Sequence, residues 1–352
     1  MGKYKVDREE LLKILKLVSQ AKGEKEIVEQ MSHFIFTGDD VICFNDQLCL
    51  QHAYDKIEEP FSVKATAFQS IISKIKSKEI EISVTENGVK VNGKTSKAMI
   101  STQVEDEVSG LLNNLNEEVD EDSGWLKLPK EFESALHTAS LSVSKNASSI
   151  LSCVYIHNGN AYSTDENCCT RAFIPDSKLP SFFIKPKTIK ILKYVGGASE
   201  MKITPNWIHF WVADDLVLSA RAITGEFITD DLLQDVFECQ DSIKLKLPED
   251  ILDGIDFVET MTDEFSPTMR IHINKGRLTI KTESMMGWAE KDFKIGGKHK
   301  ETLFFINILF LQKILKHTHE LKICNLGEGR YRILANTDNF DHAISAAVQV
   351  EL

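Results

Sequence analysis

One repeated unit constrains this chain more than any other feature. Its clearest copy runs from Trp125 to Phe237 and opens on the short alternating run Leu126-Lys127-Leu128-Pro129. The apolar spacing predicts a helix over 131–143, then strands around Asn158-Gly159, a sequence suited to a tight hairpin turn. The apolar run Phe182-Phe183-Ile184 leads into a second predicted helix at 188–195, and further strands end at Gly225-Glu226-Phe227. The opening run returns 119 positions later as Leu245-Lys246-Leu247-Pro248. Behind it come a predicted helix at 250–261, strands around Asn274-Lys275-Gly276, and a helix at 309–316 after Phe304-Phe305-Ile306. Upstream, Asp7 is a candidate N-cap for a helix whose apolar face is Leu11, Leu12, Leu15 and Val18, with Ile14. Phe61-Ser62-Val63 precedes a helix at 66–75. Val63, Ile184 and Ile306, each at the entry to a second helix, stand 121 and 122 positions apart. Three units of similar length, each with two helices and about eight short strands, read as a tandem array. The boundaries expected are 1–103, 125–239 and 240–352, with 104–124 as an acidic, asparagine-rich linker lacking helical or strand period.

The bulk numbers agree with such an array. A chain of 352 residues fits two or three ordinary domains, and 42% hydrophobic with 27% charged residues describes a soluble globular protein. The longest apolar run, 303–311, is broken by Asn307 and too short to span a bilayer. Residues 1–6 lack the apolar stretch of a secretory signal, and Val6 stands where myristoylation needs Ser or Thr. The seven cysteines are odd in number and form no Cys-x-x-Cys pair, so free thiols in a reducing compartment are expected. The net charge of −12 argues against general affinity for nucleic acid, but the acids cluster at 105–107 and 117–122 and leave room for a basic stripe elsewhere.

Enzyme signatures are absent. Gly327-Glu328-Gly329 lacks a third glycine and a preceding parallel strand. His317-Thr318-His319 has no third ligand at useful spacing and reads as a helix-end pair. Cys168 and Cys169 would point to opposite faces of a strand, which rules out a redox pair. Asn146-Ala147-Ser148 matches a glycosylation sequon but has no secretory context. No catalytic residue, metal site or cofactor is expected.

Two stretches carry a resemblance to a known family. Leu218-Ser219-Ala220-Arg221-Ala222-Ile223-Thr224-Gly225-Glu226-Phe227 resembles the strand running into Gly-Lys-Phe-Pro-Asp-Tyr at the end of the middle domain of bacterial-type DNA sliding clamps, the β subunit of DNA polymerase III. The stretch from Leu136 to Asp165 is similar in helix and strand pair, with Ser163-Thr164-Asp165 at the family's Ala-Thr-Asp-Gly. The resemblance covers essentially the whole chain and extends to a phage-encoded version. Departures are Ile228-Thr229-Asp230 for Pro-Asp-Tyr, Glu166-Asn167 for Gly-His, and Ala346-Ala347-Val348 near the end where the family has Met-Pro-Val or Met-Pro-Met.

The resemblance implies an α+β chain of three tandem clamp domains, each with two helices and antiparallel sheets, closing into a ring as a homodimer. It implies a non-enzymatic processivity factor that encircles double-stranded DNA without reading its sequence, in the cytoplasm at the nucleoid or replisome. A DNA polymerase and a clamp loader would be partners, and no membrane would be involved. Sliding needs flexible positive charges facing phosphates, which suits lysine better than arginine. Candidates are Lys13, Lys16, Lys22, Lys25, Lys64 and Lys74 in the first unit, Lys145, Lys185, Lys187, Lys190 and Lys193 in the second, and Lys313 and Lys316 in the third. Lys25 matches a DNA-contacting arginine of the family by position, and Lys185 falls at a basic pair. Carried over position by position, a groove for a hydrophobic client peptide would be walled by Ile150, Thr164, Cys169, Ile228, Leu232, Leu233 and Ala347. The ring contact would set Ala98 and Met99 against Thr260 and Met261 of a second copy. The acids Asp253, Asp256 and Glu259 on a third-unit helix fit an alternative, a clamp-fold scaffold or inhibitor that does not encircle DNA.

Overall fold

The computed structural model describes residues 2–23, 30–85, 87–102, 115, 117–119, 123–263, 267–297 and 299–348. Two compact units form: Met1–Glu133 with Lys187–Thr224, and Ser134–Pro186 with Gly225–Leu352. The first therefore takes the first repeat and the later half of the middle one, and the second takes the rest.

Twenty-four strands appear among the described residues, eight per repeat. The first repeat has β1 Lys3–Asp7, β2 His33–Phe36, β3 Asp40–Phe44, β4 Leu48–Ala53, β5 Phe61–Lys64, β6 Glu79–Thr85, β7 Gly88–Asn92 and β8 Lys97–Ile100. The second has β9 Leu126–Lys127, β10 Val154–His157, β11 Asn160–Thr164, β12 Cys168–Phe173, β13 Phe182–Ile184, β14 Glu200–Ile203, β15 Trp207–Ala213 and β16 Leu216–Arg221. The third has β17 Ser242–Lys246, β18 Thr268–Asn274, β19 Arg277–Ser284, β20 Gly287–Lys294, β21 Thr302–Asn307, β22 Glu320–Gly327, β23 Arg330–Asn336 and β24 Phe340–Ala347.

Each repeat builds two four-stranded sets in one order. The first repeat gives β1-β6-β7-β8 and β5-β2-β3-β4, and adding eight to every label reproduces the second repeat, adding sixteen the third. All pairings are antiparallel, so one face of each set turns to the core and the strands alternate. Ile80, Ile82 and Val84 of β6 are buried, as are Met269, Ile271 and Ile273 of β18.

Sets from neighbouring repeats fuse at their fourth strands. In the first unit β4 pairs with β16 from Leu48↔Ala220 to His52↔Leu216. In the second unit β12 pairs with β24 from Cys168↔Ile344 to Ala172↔Phe340. Among the described residues, β8 and β20 are the fourth strands left with a partner on one side only.

The helices follow their caps and apolar stripes. Arg8–Val18 starts where the Asp7 carboxylate accepts from the backbone N–H of Glu9 and Glu10, a cap worth about 1 kcal/mol. It buries Leu11, Ile14, Leu15 and Val18 and packs on Ala65–Lys74. The middle repeat has Phe132–Ala139 and Pro186–Val195, and the third has Ile251–Glu259 packed on Ile308–Leu315. Each second helix begins within two residues of Val63, Ile184 or Ile306, at the spacing read from sequence. A side-chain contact repeats too: the Ser163 hydroxyl donates to the Ala139 carbonyl and the Thr282 hydroxyl to the Val258 carbonyl, each across 24 positions. Both satisfy a carbonyl at a helix C-terminus.

Three expectations need correction. The acidic linker is not simply a solvated loop: Leu115 and residues 117–119 are helical, and Leu115 and Val119 are buried with Met31, Ile35, Ile42, Trp207 and Val217. Two apolar residues one turn apart, set among acids and asparagines, are too few to show a period but enough to fill a gap in a core. Glu118 ties the segment down: its carboxylate lies 3.3 Å from His209 Nε2 and accepts from Thr204 Oγ1 at 2.6 Å, while Lys202 Nζ donates to its backbone carbonyl. Second, Asp230–Phe237 is a helix, an element the sequence had not been read to contain. The signal was present, since Leu233, Val236 and Phe237 keep helical spacing. Third, the cysteines are not all free thiols. Cys239 and Cys324, 85 residues apart, are joined by a disulfide, and Cys43, Cys49, Cys153, Cys168 and Cys169 are buried and free.

Candidate nucleic-acid face and partner groove

Of the lysines proposed to face DNA, Lys13, Lys16, Lys74, Lys187, Lys190, Lys193 and Lys313 lie on helices. On Pro186–Val195 the apolar residues Ile189, Ile191 and Leu192 are buried, which leaves Lys187, Lys190 and Lys193 exposed at intervals of three. Residues so spaced lie along one flank of a helix. Lys13 and Lys16 are exposed on Arg8–Val18, and Lys74 is exposed at the end of Ala65–Lys74. Lys22 and Lys64 are half-buried, the latter as the last residue of β5. Lys25 lies outside the described residues. In the second unit Lys145 and Lys316 are exposed and Lys185 is half-buried. Lys313 is otherwise engaged: its ammonium donates to the Leu141 carbonyl at 3.1 Å and lies 5.8 Å from the Phe310 ring centroid.

Ile251–Glu259 carries the opposite charge at the same interval, in Asp253, Asp256 and Glu259. Gln312 bridges two of these acids, its amide donating to Asp256 Oδ1 at 3.1 Å and Glu259 Oε2 at 2.7 Å. Ile251–Glu259 therefore differs in charge from the lysine-bearing helices, a difference already legible in sequence.

Of the residues expected to wall a groove, Cys169, Ile228 and Leu233 come together within the second unit. Cys169 and Leu233 are buried in one cluster with Tyr162, Phe237, Leu334 and Ala343, and Ile228 packs against it. Ile150 stands beside Gly225, where a Cβ would come within 2.9 Å of its Cδ1, so a side chain at 225 would displace that wall. Thr164 is buried at the end of β11, paired with Cys169, and its hydroxyl donates to the Cys168 carbonyl at 2.7 Å. Leu232 is 57% exposed one residue before buried Leu233, so it alone of the two offers an apolar surface to a partner. Ala347 pairs with Arg330 and Phe305, four residues along β24 from Ala343. The sequence reading missed Tyr155 and Phe227, whose ring centroids are 5.0 Å apart, and Phe237, over which the Arg171 guanidinium sits at 4.7 Å. Their aromatic types were visible in the sequence, but not their convergence.

Burial pushes the Cys169 thiol up to about 12 despite the nearby Arg171 and Arg332, and raises Cys168 as well, so both stay protonated. His317 rests edge-on against Phe340, and burial lowers its pKa. Among the described residues no group of three His, Cys, Asp or Glu is placed to hold a metal. Gly327-Glu328-Gly329 forms the left-handed turn between antiparallel β22 and β23, which is not a phosphate loop. No helix among the described residues is long and apolar enough to cross a membrane.

The repeated strand order, with fusion at the fourth strands, is the architecture of a bacterial DNA sliding clamp. Solved structures bear this out. The chain is similar to DNA polymerase III subunit β from Pseudomonas aeruginosa, with TM-score 0.80, 15% identity, and coverage of 98% of this chain and 99% of that one. It is similar to the C. crescentus β sliding clamp with TM-score 0.82 and 15% identity, covering 99% of this chain and 100% of that one. The B. subtilis DNA polymerase sliding clamp gives TM-score 0.81 at 14% identity, covering 99% of both chains. Comparison with protein-family models and with curated protein sequences finds no match. At this level of identity the fold is what is shared, and the chain has the sliding-clamp fold.

Proposed function

We propose that this chain is a DNA polymerase processivity clamp: a non-catalytic homodimeric ring that encircles double-stranded DNA and tethers a polymerase and other clients. One observation carries the reading. Fourth strands fuse in pairs, two fusions are satisfied within the chain, and β8 and β20 remain open among the described residues. A second copy, placed head to tail, supplies each with the missing partner, and such a contact is finite only if it closes. Two copies then give six repeats bounded as read from sequence, at 1–103, 125–239 and 240–352. Ala98 and Met99 lie on open β8, and the helix Ile251–Glu259, which leads into Thr260 and Met261, packs on β20, the other open strand.

Lys13, Lys16, Lys74, Lys187, Lys190 and Lys193 supply the sequence-independent attraction that sliding requires. The groove of Cys169, Ile228, Leu232 and Leu233 takes a short hydrophobic peptide from a polymerase or a clamp loader. The setting is the cytoplasm. Retention on DNA tests this reading: the clamp, loaded on nicked circular DNA, stays far longer on closed circles than on linearised ones. Equal dissociation from both would overturn it. The acids on Ile251–Glu259 favour a second reading, a clamp-fold scaffold that binds clients but not DNA, and that protein would show equal dissociation with peptide binding intact.

A further inference from the structure

The two internal fusions obey one register rule, and that rule fixes the residues that meet in the third. Each fourth strand begins at a four-residue turn. Leu48 closes the turn before β4, Cys168 the turn before β12, and Gly287 the turn before β20. On the opposite side Leu216 closes the turn before β16, Phe340 the turn before β24, and Ser96 the turn before β8. Leu48 pairs with Ala220, four residues beyond Leu216, and Cys168 pairs with Ile344, four residues beyond Phe340.

Resting on the ring reading above, we infer that β20 of one copy pairs antiparallel with β8 of the next in the same register, Gly287 opposite Ile100. Trp288 then lies opposite Met99, Ala289 opposite Ala98, and Glu290 opposite Lys97.

Three features of the two edges agree with this register, and only this register places the two exposed apolar residues opposite each other. The first is pleat. Met99 and Lys97 are exposed with half-buried Ala98 between them, and Trp288 and Glu290 are exposed with buried Ala289 between them. A slip of one residue would set the exposed face of one strand against the core face of the other. The second is charge. Arg171 and Asp341 occupy the corresponding positions in the β12–β24 fusion and form an ion pair there. In the third fusion the same two positions hold Glu290 and Lys97, opposite charges with their sides exchanged. Glu290 already sits 3.5 Å from Arg270, and Lys97 joins that pair at the strand edge.

The third is apolar surface. In the internal fusions the corresponding outer-face residues, Cys49 and Cys169, are covered by chain segments, the first by Leu115 and Val119 and the second by Leu233 and Phe237. Met99 and Trp288 stand 54% and 62% exposed. A Met–Trp cross-strand contact buries both, with the thioether against the indole. The Lys281 ammonium, 5.2 Å from the Trp288 ring centroid, holds the indole's other contact.

Cysteine pairing tests the register separately from the ring. The Ala98→Cys/Ala289→Cys chain, treated with diamide, should run at twice the chain mass on a non-reducing denaturing gel. The register-shifted Ala98→Cys/Lys291→Cys chain should not. If light scattering gives a dimer while only the shifted pair cross-links, the register is wrong and the ring stands. If neither pair cross-links and the mass is that of one chain, the ring reading itself fails. Charge exchange gives a second measurement that needs no new disulfide. Lys97→Glu should weaken dimerisation by about tenfold, and Lys97→Glu with Glu290→Lys should restore it. Loss without restoration would overturn the Lys97–Glu290 pairing.

Discussion

Arg171 and Asp341 are 170 residues apart in sequence, and the Arg171 Nε donates to the Asp341 carboxylate at 3.1 Å in the middle of the β12–β24 fusion. The same carboxylate accepts from Asn336 Nδ2 at 2.6 Å, and the guanidinium covers the Phe237 ring. One charge pair thus joins two repeats and seats the helix Asp230–Phe237 beside the groove.

Asp341→Ala leaves Arg171 three-quarters buried without its counter-charge. Removing one partner of a buried pair costs about 3 kcal/mol, so the urea midpoint should fall. Arg171→Met with Asp341→Leu should lose less than Asp341→Ala alone. A larger loss in the double variant would show that the pair is not what holds this fusion.

Acid should destabilise the fold through its buried histidines. Burial lowers the pKa of His342 to about 3, with its Nδ1 bonded to Thr170 Oγ1 at 2.8 Å, and burial lowers that of His209 too. A folded-state pKa below the unfolded value means the unfolded chain binds the proton first. The stability contributed is therefore complete above about pH 6.5 and falls by about 1.4 kcal/mol per pH unit per histidine as pH drops toward the folded pKa. Unfolding free energy measured between pH 7 and pH 4 should follow this slope, and His342→Gln should reduce it by one proton. An unchanged slope in that variant would assign the acid sensitivity elsewhere.

Leu232 and Leu233 should separate binding from folding. Leu233→Ala empties a buried site at a cost of about 2–5 kcal/mol, read as a lower thermal midpoint. Leu232→Ser should leave that midpoint within a degree or two and weaken a fluorescent hydrophobic clamp-binding peptide by about tenfold. Full peptide affinity in Leu232→Ser would place the groove elsewhere.

Lys187, Lys190 and Lys193 should act as a set on DNA. Replacing all three with Gln should weaken DNA binding equally across sequences. The salt dependence should flatten by about 0.9 in log–log slope for each phosphate that is no longer neutralised. Fluorescence anisotropy at several salt concentrations measures both. An unchanged slope would remove this helix from the DNA-facing surface.

The tandem order was legible in sequence because it is written locally. The Leu-Lys-Leu-Pro run and the aromatic strands before each second helix recur near 120 residues apart, Asp7 marks the start of the first helix, and every one of these helices formed within a few residues of its expected place. Strand alternation and helix period are properties of neighbouring residues, so sequence alone determined the α+β class, the threefold repeat and the lysines on exposed helix flanks. Tertiary structure decided which distant strands became neighbours. Leu115 and Val119 look like apolar scraps in an acidic linker until β4 and β16 fuse beneath them. Cys239 and Cys324 have no sequence relation until β22 is laid beside β17. Lys97 and Glu290 acquire meaning only when the two internal fusions supply a register to count from. Periodicity determines which face a side chain takes, but a strand edge is indifferent to its partner until shape, charge and the folded neighbours select one.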